Sequence, residues 1–304
     1  MTWKKKNIYI IDIVYIHVNT YIHMEKQLFK FGEASLAFVV PKKWVDKKGL
    51  MRGSKLFVSE NDEGDMVLST HETAKKEKEI VIDSSFNAKI LSGIVGRSYM
   101  YGTNILKIRS SDRVSPKQVS TVEKEIRELC PGFEIIKQSE KEITIKDFTD
   151  LKEISIKNII ERMKYLVSEQ FDAIDSGDVQ SVNDSEEIID RLYKVGFRYA
   201  NIIRPGRITE IIDIVRRLEN MSDNLVVMAE NRKDVSEEMK LLKQMFESAF
   251  EAYNGNLKSL TKFGDLKEIL TRAIKKKNAS SIQKTIILRM AGLMFGIAEF
   301  GVIY

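Results

Sequence analysis

Between residues 153 and 304 apolar side chains recur every three or four positions, the period of helices that bury one face. Ile160, Met163, Val167, Phe171 and Ile174 form one such row. Met239, Leu242, Met245, Phe246, Ala249 and Tyr253 form another, and Ile282, Ile286, Met290, Leu293 and Ile297 a third. Breakers at Ser176-Gly177, Pro205-Gly206, Asp234, Asn254-Gly255-Asn256 and Asn278 to Ser281 divide this stretch into six expected helices with no strand. Upstream the pattern shortens. Gln27 to Phe31 and Ser35 to Val40 read as strands around Gly32. Pro41 ends the second, and Lys42 to Lys48 make a helical turn closed by Gly49. Lys55 to Ser59 and Asp65 to Ser69 read as a second strand pair around a polar turn. Residues 77–150 then mix strands (Glu79–Ile82, Ile105–Ile108, Phe133–Ile136, Glu142–Ile145) with a helix at 86–100 and another opened by Ser115-Pro116, a small α+β module.

Two of the six helices interrupt their own apolar rows with acids. The row Val182, Glu186, Ile189, Tyr193, Gly196 places Glu186 on the buried face, with Asp190 one turn further along. The row Ile212, Val215, Glu219, Ser222, Val226 repeats the arrangement with Glu219 and Asp223. Burying uncompensated carboxylates is costly, so four of them on neighbouring helices require protons or cations. With neither His nor Cys after residue 130, a metal held here would have oxygen ligands only, which suits Mg, Mn, Ca or ferric iron better than zinc. The alternative is ordinary salt bridging to Arg191, Arg216 or Arg217. Aligning Asn224–Glu230 with Leu293–Glu299 makes helices four to six a second copy of one to three. Leu288 then stands opposite Glu219, and Gly292 opposite Asp223, so the second copy has no acids at these places.

Charge is nearly balanced overall, 49 Lys+Arg against 44 Asp+Glu in 304 residues, so any anion-binding surface is local. The dense basic stretch is Lys42, Lys43, Lys47, Lys48, Arg52 and Lys55, faced only by Asp46, with Lys26 and Lys30 nearby. Phosphate contacts from such a patch would give salt-dependent binding to DNA, whereas the plain alternative is a solvated helical turn. Trp44 and Phe38 are expected in a core rather than as stacking platforms. The single cysteine, Cys130, excludes an internal disulfide or a Cys-cluster metal site and reads as a small buried residue in a reducing, cytoplasmic setting. His17, His23 and His71 all precede the helical half, which argues against a zinc hydrolase or a Ser-His-Asp triad there. Residues 1–23 have an apolar run broken by Asp12, His17, Asn19 and His23. They read either as an extension ahead of a start at Met24 or as a genuine strand or anchor.

The helical half resembles the PhoU domain, built from two three-helix repeats with a Glu/Asp-x-x-x-Asp pair on two helices of each. The carrying stretches are Ser185 to Tyr193 and Arg217 to Asn224, continuing to Met228-Ala229-Glu230. The resemblance implies metal ligation by Glu186, Asp190, Glu219 and Asp223, with iron as the expected cofactor and Mg, Mn or another divalent ion as alternatives. It departs from the family in the second repeat, where neither pair can be placed. The segment from Met24 is similar to the AbrB, SpoVT or MazE swapped-hairpin DNA-binding domain through Gly32, Ser35, Val40-Pro41-Lys42-Lys43-Trp44, Gly49-Leu50 and Gly53. This order of domains resembles an archaeal type of phosphate-uptake regulator, and 77–150 is similar to the linker region of such proteins.

The expectation is therefore an α+β multidomain chain: an extension at 1–23, a DNA-binding β-domain at 24–76, an α+β module at 77–150 and a six-helix PhoU-like bundle at 151–304. Its expected function is that of a cytoplasmic, homodimeric, non-enzymatic transcription regulator of phosphate uptake. The alternative is an adaptor that docks on a phosphate ABC transporter or a sensor kinase and uses the N-terminal domain only to dimerise. A carboxylate-bridged metal enzyme is disfavoured because no nucleophile or His accompanies the acids.

Overall fold

The computed structural model of the chain describes residues 25–31, 33, 35–60, 66–70, 76–151, 154–203, 207–231, 235–276 and 280–303. The expectations for residues 1–23, the three histidines and the turn around Asp62 lie outside these residues. The chain is α+β, with strands in its N-terminal half and six long helices after them. It divides into two compact units, Met1–Leu56 and Phe57–Tyr304, and the division falls between the two hairpins of the expected 24–76 segment.

In the first unit, β1 (Phe29–Phe31) and β2 (Ser35–Ala37) form an antiparallel hairpin with Phe29 opposite Ala37. Pro41 then caps the short helix α1 (Lys42–Lys47). So few residues cannot enclose a core. Phe29, Phe31, Leu36 and Val39 are exposed, and Phe38 and Trp44, expected in a core, are only partly covered.

The second unit begins with the hairpin β3 (Phe57–Glu60) and β4 (Met66–Ser69). The module that follows runs β5 (Glu77–Ile82), α2 (Ala88–Met100), β6 (Ile105–Ser110), α3 (Pro116–Leu129), β7 (Phe133–Ser139) and β8 (Glu142–Asp147). Its sheet has the order β5-β6-β8-β7, with β5 parallel to β6 and the other neighbours antiparallel. The parallel pair requires a crossover, which α2 supplies. Asn87 accepts from the backbone N–H groups of Lys89 and Ile90, so α2 starts at Ala88 rather than at 86. Ser115 and Gln118 make a reciprocal capping box, and Pro116 opens α3. Leu91, Val95 and Tyr99 from α2 and Val122 from α3 bury themselves against Leu106, Ile108, Ile143 and Ile145 of the sheet.

The six helices are α4 (Ile156–Ser176), α5 (Val179–Ile203), α6 (Ile208–Glu230), α7 (Ser236–Tyr253), α8 (Leu257–Lys276) and α9 (Ser281–Ile303). Gly177, at φ 85°, ends α4 in the left-handed conformation and turns the chain into α5. α4, α5 and α6 pack on one another, α7 carries both α8 and α9, and α4 and α6 join the two sets through α7 and α9 respectively. The expected rows on α4 and α7 are buried apart from Tyr253, which is partly covered. On α9, Ile286, Met290 and Ile297 are buried, but Ile282 in the first turn is 63% exposed. By length and composition α9 would suffice to cross a membrane, yet here it packs along α7 and α6.

One row of α5 fastens the module to the bundle. Arg191 Nε donates to the Glu128 carbonyl (2.7 Å), Lys194 Nζ pairs with Glu125 Oε1 (2.5 Å), and Asn201 Nδ2 donates to the Met100 carbonyl (3.2 Å). Arg198, fully buried, donates to the Tyr99 carbonyl (2.5 Å), pairs with the Asp147 carboxylate and lies over the Tyr99 and Phe133 rings. Glu125 also accepts from Ser92 Oγ (2.6 Å), and Gly96 leaves the room, because a Cβ there would collide with the Glu125 carboxylate. Cys130 is wholly buried, as expected, and burial pushes its thiol up to about 12.

Candidate metal centre

α5 and α6 lie side by side, and their interrupted rows meet. Val182 and Ile189 of α5 and Val215, Leu218 and Ser222 of α6 are buried, which fixes the rotation of both helices. Once that rotation is set, Glu186, Asp190, Glu219 and Asp223 share the seam at the edge of the core. Glu186, Asp190 and Asp223 each present a carboxylate oxygen within 4.8 Å of the other two. Glu219 adjoins them closely enough to feel the charge of all three, and its Oε2 accepts from Asn220 Nδ2 (3.0 Å). Asp223 is exposed and forms the rim, whereas the other three are half-buried.

Below the seam the helices are tied by Gln170 of α4, whose amide nitrogen donates to Ser222 Oγ (2.8 Å) and to the Val182 carbonyl (3.0 Å). These bonds hold α5 and α6 one residue from Asp223 and one turn from Glu186, so the acids stand on a rigid base.

The cations named as salt-bridge alternatives are engaged elsewhere. Arg191 is on the Glu128 carbonyl, Arg217 pairs with Asp213, and Arg216 lies over the Phe197 ring. Lys194, one turn beyond Asp190, is committed to Glu125. Among the described residues no lysine or arginine comes within 4.0 Å of any of the four carboxylates. The electrostatic result is mutual repulsion in a partly desolvated place. Burial first, then Asp190 and Asp223, push Glu186 up to about 7. Burial, then Asp223, Asp190 and Glu186, push Glu219 up to about 7 against the pull of Arg216. Asp190 is raised by burial and by Asp223, and Asp223 by burial, partly offset by Arg289.

A carboxylate raised in the folded state makes folding take up protons, so the stability it contributes is present at low pH and lost as pH rises through its folded value. In metal-free protein the melting temperature should therefore fall between about pH 4.5 and 7, the window spanned by Glu186 and Glu219. In Glu186→Gln/Glu219→Gln the fall across this window should be smaller. A thermal melt series in chelator checks it, and identical slopes in the two proteins would refute the repulsion.

The second set of helices lacks such a cluster at the corresponding places. Leu288 and Gly292 occupy α9 where α6 carries Glu219 and Asp223. The other expected site residues, Lys42, Lys43, Lys47, Lys48, Arg52 and Lys55, are all exposed on and after α1, in the first unit. The polar row of α5 was not anticipated from the sequence, although Arg191, Lys194 and Arg198 recur at the spacing of one helix face.

The chain matches no protein-family profile, no curated protein and no solved structure.

Proposed function

We propose that this chain is a non-enzymatic, cytoplasmic regulator of phosphate uptake that binds a cation at its α5–α6 carboxylates and DNA through its N-terminal unit. The observation that carries the reading is the convergence of Glu186, Asp190 and Asp223, with Glu219 beside them but outside that 4.8 Å group, and with no basic partner within salt-bridge range among the described residues. Such a cluster is stable at neutral pH with a bound cation or with retained protons, and the donor set is oxygen only. Two ligands of one ion at about 2.0–2.6 Å lie roughly 3–4 Å apart, so oxygens already within 4.8 Å need little movement to close on it. The four acids would hold the ion, iron or alternatively Mg, Mn or another divalent ion, and the ion would supply the positive charge that joins α5 to α6. No nucleophile or histidine stands among these residues, which favours a structural or sensing role over turnover.

The reading of the N-terminal unit rests on six exposed basic residues, Lys42, Lys43, Lys47, Lys48, Arg52 and Lys55, and on the resemblance to swapped-hairpin DNA-binding domains. The exposed Phe29, Phe31, Leu36 and Val39 favour a homodimer in which a second copy covers them. Dimerisation would present the basic residues twice on one surface and steepen the salt dependence of DNA binding.

Recovery and sequencing of DNA cross-linked to the protein in its native cell, with phosphate abundant and scarce, tests the reading. The expected result is enrichment at phosphate-transport promoters that changes with phosphate and disappears in Lys42→Glu/Lys43→Glu. Absence of enrichment in both states, or enrichment unchanged in the variant, would overturn it.

A further inference from the structure

Lys194 stands between two acids that belong to different parts of the fold. It follows Asp190 by four residues on α5 and is the one basic side chain a single helical turn from that acid. Its ammonium does not close that turn. It pairs instead with Glu125 Oε1 of α3 (2.5 Å) and lies beyond salt-bridge range of Asp190. The pair is largely enclosed, the Lys194 side chain being 15% exposed and that of Glu125 9%.

The surroundings of Glu125 are arranged to keep this lysine. Its second oxygen accepts from Ser92 Oγ of α2 (2.6 Å), so the carboxylate is held from two sides. Gly96 of α2 makes the space, because a Cβ there would collide with Glu125 Oε1 and stand 3.1 Å from Lys194 Nζ. Both charges reach the seam. After burial and Asp223, which raise the pKa of Asp190, Lys194 lowers it and Glu125 raises it. The other basic groups near the seam have partners of their own: Arg216, three residues before Glu219, lies over the Phe197 ring, and Arg289 of α9 donates to Asn220 Oδ1 (2.8 Å). Lys194 is thus an internal cation within reach of the carboxylates, and Glu125 draws it away from them.

We propose that Glu125 is a positioning residue for the cation site of α5 and α6: by holding Lys194 away from Asp190 it leaves that carboxylate to the cation, so the site depends on α3 being docked against α5. The inference rests on the reading of the seam as a cation site and adds the group that regulates it. Without Glu125 the ammonium has Asp190 as the carboxylate one turn away, and an acid four residues ahead of a lysine is the favourable order for a helical pair. A lysine on Asp190 both occupies a ligand oxygen and repels a divalent ion placed beside it. Outer groups that orient metal ligands are worth about ten- to a hundredfold in affinity, and loss of Glu125 should fall in that range. The coupling is reciprocal: an occupied seam keeps Lys194 on Glu125 and so keeps the module fastened to the bundle.

The test is calorimetric titration of Mn2+ and, anaerobically, Fe2+ into the chelator-treated full chain, with the parent beside Glu125→Gln, Lys194→Met and the double variant. Glu125→Gln should bind at least about tenfold more weakly. Glu125→Gln/Lys194→Met should return to within about threefold of the parent, because no ammonium is left to take Asp190 and removal of both members of a buried pair orphans neither charge. Lys194→Met alone should bind at least as tightly as the parent, an arm that stands whether or not Glu125→Gln folds. Circular dichroism melts identify the folded variants. Equal binding by the parent and Glu125→Gln would overturn the proposal. So would a double variant as weak as Glu125→Gln, which would show that Glu125 acts through packing, or weaker binding by Lys194→Met, which would show that the lysine assists the site. Absence of binding by all four proteins would refute the cation site itself, and the proposal with it.

Discussion

Arg198→Ala should destabilise the second unit by about 3–5 kcal/mol, because it strips a buried charge of its partner. Arg198 is fully buried and Asp147 nearly so, and the guanidinium is held by the Asp147 carboxylate, by the Tyr99 carbonyl and by the faces of Tyr99 and Phe133. Removing it leaves the Asp147 carboxylate in the interior, two aromatic faces without their cation and a cavity at the junction of module and bundle. Arg198→Lys should rescue little, since an ammonium cannot stack on two rings while bonding a carboxylate and a carbonyl in different directions. Asp147→Ala should cost a comparable amount, and the double replacement less than the sum, because the second change removes a charge the first has already orphaned. Urea melts of the four proteins check this, and in thermal melts the single variants should unfold roughly 10 °C early. A loss below about 1 kcal/mol for Arg198→Ala would show that this pair does not hold the module to α5.

That junction was illegible in the sequence for a physical reason. Periodicity reports which face of a helix is apolar, and α5 announces its bundle face through Val182, Ile189 and Gly196. The face bearing Arg191, Lys194 and Arg198 looks solvated in a linear reading, because long basic side chains are ordinarily exposed. Only the sheet and helices of another module, brought there by tertiary packing, bury Arg198 and partly cover Lys194, while Arg191 stays exposed at the edge. The same limit hid the bulge between Ile135 and Lys137 on β7, which keeps strand periodicity on both sides of the shift. The elements themselves were readable. Pro41, the Ser115-Pro116 cap and Ser176-Gly177 are local signals whose physics needs no tertiary context, and helices begin or end at each of them.

Saturating cation should raise the stability of chelator-treated protein by several kcal/mol, about 2.7 kcal/mol at a concentration one hundred times the dissociation constant. The gain should come with suppression of the pH dependence, because an ion displaces the protons that Glu186 and Glu219 retain up to about 7. Manganese, magnesium and iron can be compared in melts, and the protection should vanish in Glu219→Ala/Asp223→Ala. That variant should itself be slightly more stable than metal-free parent at neutral pH, by on the order of 1 kcal/mol after allowance for solvent screening, since it relieves like-charge repulsion. A metal-free parent more stable than the variant, with no response to any of the three ions, would mean that the acids contribute to the fold in some other way.

The carboxylates were legible because they violate a pattern. Glu186 and Glu219 sit in rows whose other members are apolar or small, and their i+4 partners fall on the same seam once the helices are rotated by Val182, Ile189, Val215 and Leu218. The sequence could not decide which arginines would answer them. Arg191, Arg216 and Arg217 are all within reach in a linear reading; the packing of α3, α5 and α6 sends Arg191 to Glu128 and Arg216 over Phe197, whereas Arg217 pairs with Asp213 one turn back on α6 itself. The Gln170 bonds beneath the site were equally hidden, because an amide in a helix row gives no sign of what it faces.

The central claim, that this seam is a cation site, is tested most directly by elemental analysis of the protein purified from its native cell without added metal, beside Glu219→Ala/Asp223→Ala prepared identically. The account predicts an oxygen-preferring metal at a fixed ratio to the parent chain and its loss from the variant. Equal metal in the two proteins, or none in the parent even after reconstitution, would contradict it.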